Sequence, residues 1–281
     1  METMETPLAA GPGALSTPAP LSKVVADPAR AVVDIPDGAT LAVCGFGSCG
    51  IPSLLIDALH QAGPRGLHVV SNNCGIDGWG LGILLDAGRI DRVTASYVGD
   101  NKEFARRYLS GQLEVELIPQ GTLAERLRAG GSGVPAFFTP AGVGTQIAEG
   151  GMPWRYRADG TVAVTSPPRR TEDFDGRPYV LERAVTPDFG LVRAWKGDTD
   201  GNLVFRRAAR NFNPLCAMAG RITIAEVEEL CEPGDLDPDA VHLPGIFVQR
   251  VVPIGPEGPG AEKRIEKLTE RRPAGQEETS R

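Results

Sequence analysis

From Ala31 to about Thr139, short apolar runs ended by glycine or a polar pair alternate with segments whose apolar residues recur at helical spacing. Residues 41–43 predict a buried strand and residues 54–59 a helix, with Pro52 suited to that helix's first turn. Residues 67–71 predict a second strand, 81–87 a helix after the glycine-rich loop at 75–80, and 93–98 a third strand. In residues 101–110, Phe104, Tyr108 and Leu109 share a face and Glu103 stands four positions before Arg107, as on an amphipathic helix ended by Gly111. Residues 114–119 predict a fourth strand, Thr122 and Glu125 a capping box that opens a helix, and residues 136–139 a fifth strand. Such βα alternation predicts an α/β fold: a mostly parallel sheet with helices on both faces.

Beyond Gly150 the pattern changes. Residues 155–164 alternate about Asp159-Gly160, which predicts a hairpin. Residues 191–195 and 202–205 flank a second Asp-Gly pair at Asp200-Gly201, and residues 222–225 and 247–252 read as further strands. Antiparallel strands added to the same sheet, or a small second sheet, account for this half without an independent domain. The expected organisation is a tail over residues 1–30, one domain over 31–254 and a charged, flexible tail over 255–281, in which residues 262–272 could form a solvated helix. No internal repeat is apparent.

Composition narrows the class. The 281 residues suffice for a substantial core, and a net charge of −7 without basic clusters argues against nucleic acid as a partner. No apolar run approaches the ~18 residues of a membrane span. The first 22 residues lack the basic and apolar regions of a secretory signal or a transit peptide. Five cysteines without C-x-x-C pairing and three scattered histidines, His60, His68 and His242, form neither a zinc pattern nor a disulfide framework. A reducing cytoplasm fits that usage best.

The chemistry centres on the tract Leu41 to Pro52. After the first strand comes Gly45-Phe46-Gly47-Ser48-Cys49-Gly50, then a helix start. Such a turn brings backbone close to a ligand, and a helix N-terminus offers N–H groups to an anion or a carbonyl. The spacing also matches G-x-G-x-x-G, but a dinucleotide fold needs a carboxylate after the second strand, where Ser71-Asn72-Asn73 stands instead. Cys49 reads as a small buried residue. At the carboxyl ends of the other strands lie Asn72 and Asn73, Asp100 and Asn101, Gln120, and Thr139 to Gly142. Amides dominate, and neutral donors suit a carbonyl or carboxylate oxygen in acyl transfer.

No nucleophile motif accompanies them: there is no G-x-S-x-G, H-E-x-x-H or G-x-x-x-x-G-K-[ST]. Nothing around Glu149, Glu182 or Asp188 suggests activation, Arg169-Arg170 reads as a solvated patch, and the cluster Arg210 to Pro214 has no role from pattern alone.

Gly45 to Pro52, Ser71-Asn72-Asn73, Pro119 to Arg126, Phe138 to Gly144, Ala209 to Pro214 and Pro244 to Arg250 together resemble the A (alpha) subunit of family I coenzyme A transferases, most closely the 3-oxoacid type. The likeness runs from about Val33 to Lys267. It implies the CoA-transferase / sugar-phosphate isomerase-like fold and a ping-pong transfer of CoA between succinyl-CoA and acetoacetate, with no permanently bound cofactor and no metal. The reacting group is then a glutamyl-CoA thioester on a B subunit bearing Ser-Glu-Asn-Gly, a motif absent here. By position, Cys44, Gly45, Phe46, Gly47, Ser48, Cys49 and Gly50 correspond to the CoA-binding segment. Asn72 and Asn73 correspond to residues facing the substrate carboxylate, and Gln120 to one beside the reacting carbonyl. Cys44 stands where the family usually has glycine. The resemblance leaves open acetate, butyrate or 3-oxoadipate as the acid, and a non-catalytic ligand-binding protein on the same scaffold.

Overall fold

Along each strand at the centre of the molecule, successive side chains enter two different cores, as the two-residue period of a strand requires. In the computed structural model, which describes residues 22–99 and 101–255, Leu41 and Val43 enter one core while Ala42 and Cys44 enter the other. A sheet buried on both faces is the consequence.

The first half builds α1 (Pro28–Val32), β1 (Thr40–Val43), α2 (Ser53–Ala62), β2 (Leu67–Val70), α3 (Leu81–Asp86), β3 (Ile90–Ala95), α4 (Lys102–Leu109), β4 (Glu114–Leu117) and α5 (Gln120–Gly131). Then follow β5 (Ala136–Thr139), α6 (Gln146–Glu149), β6 (Pro153–Tyr156), β7 (Val162–Thr165), β8 (Thr171–Phe174) and β9 (Arg177–Arg183). The chain finishes with β10 (Phe189–Asp198), β11 (Leu203–Val204), α7 (Asn213–Ala219), β12 (Ile222–Cys231) and β13 (Arg250–Pro253).

The main sheet runs β13-β12-β10-β1-β2-β3-β4 with every neighbouring pair parallel, and β11 joins β10 antiparallel. Helices α1 to α4 cover one face through Leu55, Ile56, Leu59, Leu84, Leu85 and Phe104. Helices α5 and α7 cover the other through Leu123, Leu127, Cys216 and Ala217. The mostly parallel, doubly covered sheet therefore agrees with the sequence reading, as do the antiparallel strands of the second half.

Some assignments differ. Residues 136–139 form a strand, but β5 pairs antiparallel with β9 in a separate three-stranded sheet, β5-β9-β8. Conversely β10, β12 and β13 extend the main sheet parallel to β1, where antiparallel additions were expected. The third strand begins and ends three residues earlier than its apolar run suggests, because Ile90 already pairs with Leu67. Helix α5 starts at Gln120, ahead of the expected capping box, and the Thr122 hydroxyl inside it is buried without a partner. The hairpin about Asp159-Gly160 is present as β6–β7.

Part of the segment read as an N-terminal tail is packed: Val24 bridges Val251 in parallel, Val25 N–H donates to Val251 O, and Val251 N–H donates to Lys23 O. Residues 22–30 thus cover the outer edge of β13 and build α1. Residues 1–21, Asp100 and residues 256–281 of the tail expected over 255–281, with its helix over 262–272, lie outside the described residues. Among the described residues no helix is long and apolar enough to cross a membrane.

Candidate functional site

Strands β2, β3 and β4 run outward from β1 on one side, and β10, β12 and β13 on the other. The two excursions part at the β1–β10 pair, so a crevice opens beyond the carboxyl end of β1, where open α/β sheets take ligands. The glycine turn leaves β1 at that point.

The turn is a miniature hairpin. Phe46 N–H donates to Cys49 O at 3.1 Å and Cys49 N–H to Phe46 O at 3.0 Å, closing a two-residue loop of Gly47 and Ser48. Gly47 sits at φ +59°, the first-position glycine that a tight hairpin favours. Gly45, Cys49 and Gly50 are buried, whereas Phe46 at the tip is 47% exposed. The amides of Gly47 and Ser48 make no backbone hydrogen bond among the described residues.

The N-terminus of α2, by contrast, is already occupied. The amides of Leu54 and Leu55 both donate to Glu226 Oε2, at 3.0 and 3.1 Å. The expectation that this helix end offers itself to an anionic ligand is therefore corrected: a buried carboxylate from β12 fills it. Burial pushes the Glu226 carboxyl up to about 7, against the opposing pull of Arg193 and the two amides. Arg193 on the neighbouring β10 lies between Glu226 (3.1 Å) and Glu228 (3.0 Å).

Cys44 follows directly on β1 and is buried. Its thiol donates to Gly50 O at 3.1 Å, and burial raises its pKa well above the ordinary thiol value. The same carbonyl accepts from Asn213 Nδ2 at 3.1 Å. The cysteine therefore closes the turn from inside. The cluster Arg210 to Pro214, which pattern left without a role, supplies the clamp. Asn211 donates to Cys49 O and Asn213 to Gly50 O, so two side-chain amides two residues apart hold two consecutive turn carbonyls. A regular N-x-N spacing beside the helix-starting Pro214 was the available sequence signal.

The strand-end amides divide. Asn72 is 3% exposed, and its Oδ1 accepts from Gln120 Nε2 at 2.7 Å and from the Ser96 hydroxyl at 2.9 Å. Gln120, at the start of α5, is exposed and reaches the open cleft. Asn73, 6% exposed, faces a void of about 10 Å³ shared with Cys44, Gly45, Ile51, Ser71, Gly75 and Leu81, the lower limit for one water. Asn101 is not at the site: it caps α4 through Phe104 N–H and donates to Cys74 O. Asp188 accepts from Thr40 N–H, and Arg169, read as solvated, is instead largely buried between Glu116 and Glu182. These groups serve the fold.

What remains is a cleft of about 320 Å³ bounded by Phe46, Gln120, Gly121, Ala124, Asn211, Phe212 and Leu215. Its walls are chiefly apolar with two amides, and among the described residues that line it there is no carboxylate, thiol or histidine. Such a cleft can hold a flexible chain and orient a carbonyl, but it offers no attacking group. Among the described residues no cluster of three or more His, Cys, Asp or Glu could hold a metal ion.

A motif after the next strand repeats the design. Thirty positions on, Cys74-Gly75-Ile76-Asp77-Gly78-Trp79-Gly80 follows β2 as Cys44 to Gly50 follows β1, and Ile76 and Trp79 pair as Phe46 and Cys49 do. An internal repeat is thus present, too short and too substituted to stand out in the sequence.

Comparison with known proteins follows the same lines. Residues 25–253 match the Coenzyme A transferase family. A Mycobacterium tuberculosis (H37Rv) relative described as the A subunit of a probable succinyl-CoA:3-ketoacid coenzyme A transferase is 63% identical over 251 residues, 89% of this chain and 100% of that one. The rat mitochondrial succinyl-CoA:3-ketoacid coenzyme A transferase 2A is 50% identical over 250 residues, 89% of this chain but 47% of its own length. The crystal structure of the Escherichia coli O157:H7 acyl-CoA transferase YdiF as a thioester complex with CoA superposes with a TM-score of 0.68 at 24% identity, over 83% of this chain and 47% of that one, and so shares the fold.

Proposed function

The chain belongs to the coenzyme A transferase family, and from that premise we propose that it is the A subunit of a two-chain enzyme moving CoA between succinyl-CoA and acetoacetate. The partner is a B subunit carrying the nucleophilic glutamate in Ser-Glu-Asn-Gly, and the site is complete only when the two chains meet. The observation that carries this reading is the cleft itself: Gln120 and Phe46 of the glycine turn border one apolar space, and among the described residues lining it none is a nucleophile. The names of the relatives at 50–63% identity support the substrate pair.

In the first half-reaction the partner's glutamate carboxylate attacks the succinyl-CoA carbonyl. The carbonyl becomes an oxyanion, which collapses to a mixed anhydride and releases CoA thiolate. The thiolate then attacks the glutamyl carbonyl, succinate leaves, and the glutamyl-CoA thioester remains. Acetoacetate reverses these steps and departs as its CoA thioester. Each step passes through an oxyanion that neutral donors stabilise without trapping it as an ion pair. Gln120 supplies one donor, its orientation fixed by Asn72 Oδ1. The amides of Gly47 and Ser48 supply others, as the tip of the CoA-binding segment 44–50. Asn72 and Asn73 shape the carboxylate-binding side from just beneath the surface. Binding of the remote part of CoA helps to drive the chemistry at the thioester. The free cysteines suit the reducing cytoplasm in which we place the enzyme.

Co-expression with a chain bearing Ser-Glu-Asn-Gly tests the reading. Incubation of the pair with succinyl-CoA should place covalent CoA on the partner, read by mass spectrometry, and Gln120→Ala should lower kcat about 100-fold, the loss of one oxyanion donor. Covalent CoA on this chain, or full turnover by this chain alone, would overturn it. Acetoacetate should give a higher kcat/KM than acetate, butyrate or 3-oxoadipate.

A further inference from the structure

Asn213 is completely buried and makes three hydrogen bonds to three separate pieces of backbone. Its Oδ1 accepts from Arg193 N–H of β10 at 2.8 Å. Its Nδ2 donates to Ala209 O at 2.7 Å, just before α7, and to Gly50 O at 3.1 Å, where the glycine turn ends. One side chain thus joins the strand beneath the crevice, the cleft wall and the turn. Gly50 leaves no room for the turn to slide: a Cβ there would stand 2.7 Å from Ala209 O and 2.8 Å from Asn213 Nδ2. The Cys44 thiol holds the same carbonyl from the opposite side. Neither Asn213 nor Cys44 lines the cleft.

We propose that Asn213, with Cys44 as its second hand, is a positioning residue for transfer: by pinning Gly50 O it fixes the place of the glycine turn, whose Phe46 borders the cleft, relative to Gln120 on the same cleft. The inference rests on the transferase reading above and adds to it a part for residues that do not line the cleft. Misplacement of a donor by about 1 Å removes roughly 100-fold in rate, so loss of the pin reads out in turnover.

The test uses the assembled pair. In Asn213→Asp the acceptor for Arg193 N–H stays, but a carboxylate oxygen replaces the amide donor opposite Gly50 O and Ala209 O. Its expected effect is a kcat lower by 100-fold or more with KM for the free acid within about threefold, in a pair of unchanged size. Cys44→Ala removes the lesser donor without disturbing α7, and is expected to lower kcat about threefold to tenfold, with recovery in Cys44→Ser, whose hydroxyl restores a donor. If Asn213→Asp fails to assemble, the Cys44 pair of variants decides alone. Wild-type kcat in assembled Asn213→Asp, or in Cys44→Ala when that is the only variant to assemble, overturns the proposal. So does a KM rise that accounts for all the lost activity. An inactive wild-type pair overturns the transferase reading and this inference with it, whereas an active wild type with unimpaired variants removes this inference alone.

Discussion

The turn at 44–50 and the turn at 74–80 start from the same Cys-Gly step, close the same two-residue hairpin and lead into a helix on the same face of the sheet. Their left-handed residue differs in place: Gly47 at φ +59° is the first loop residue of one, and Gly78 at φ +71° the second of the other. They differ more in what holds them. The first is gripped from strands and helices far away in sequence, by Glu226 at the helix start and by Asn211 and Asn213 at its carbonyls. The second is held locally: Asn101 donates to Cys74 O, and Asp77 accepts from the amides of Lys102 and Glu103, capping α4. The first borders the cleft, and the second does not. The loop that borders the cleft is tied to the scaffold from several directions, while its structural twin relies on a neighbouring helix.

The largest expected break in this comparison is Glu226→Ala. It leaves Arg193 with Glu228 as its one remaining buried carboxylate and uncaps α2, and should lower stability by about 3 kcal/mol in urea unfolding. Asn101→Ala at the second turn should lower it by about 1–2 kcal/mol.

The two supports also differ in pH response. The Glu226 carboxyl titrates near 7 in the folded protein against 4.5 for an ordinary glutamate, so between those values the folded state holds a proton that the unfolded state has lost. Its contribution is complete below pH 4.5 and disappears as pH rises through 7, a change of up to about 3 kcal/mol. Chemical denaturation of Glu226→Gln across that window should show a flatter profile than wild type. Variants of Asn101, which carries no charge, should keep the wild-type slope.

Gly50→Ala should lose about 2 kcal/mol or more of stability together with most transfer activity, because φ +69° and the contact with Ala209 O both oppose a Cβ. Gly78→Ala, at φ +71° with nothing within 4 Å, should lose only about 1–2 kcal/mol of backbone strain and keep its activity. Asp77→Ala is the smallest change, about 0.5–1 kcal/mol for an exposed helix cap, with kcat unaltered.

Much of the first half was legible because its strands are short apolar runs bounded by glycine, and because the glycines of Gly45 to Gly50 mark a tight turn between a strand and a helix start. The polar support was not. In Ile222–Cys231 the glutamates at 226 and 228 alternate with Val227, which reads as one wet face, yet both face Arg193, 33 and 35 positions away in the chain. Periodicity reports which side chains share a face, and only the partner on the next strand decides whether that face is solvent or a buried ion cluster. Strand β5 failed for a related reason: its apolar run marks an extended segment without saying which sheet accepts it.

The pairing of Val24 with Val251 has a practical bearing on handling the protein. A parallel sheet whose last strand lay bare would be a template for stacking against another copy of itself. Here residues 23–25 lie along that rim. A shortened version beginning at Ala26 should therefore clump on storage while retaining native circular dichroism, and light scattering would register the change.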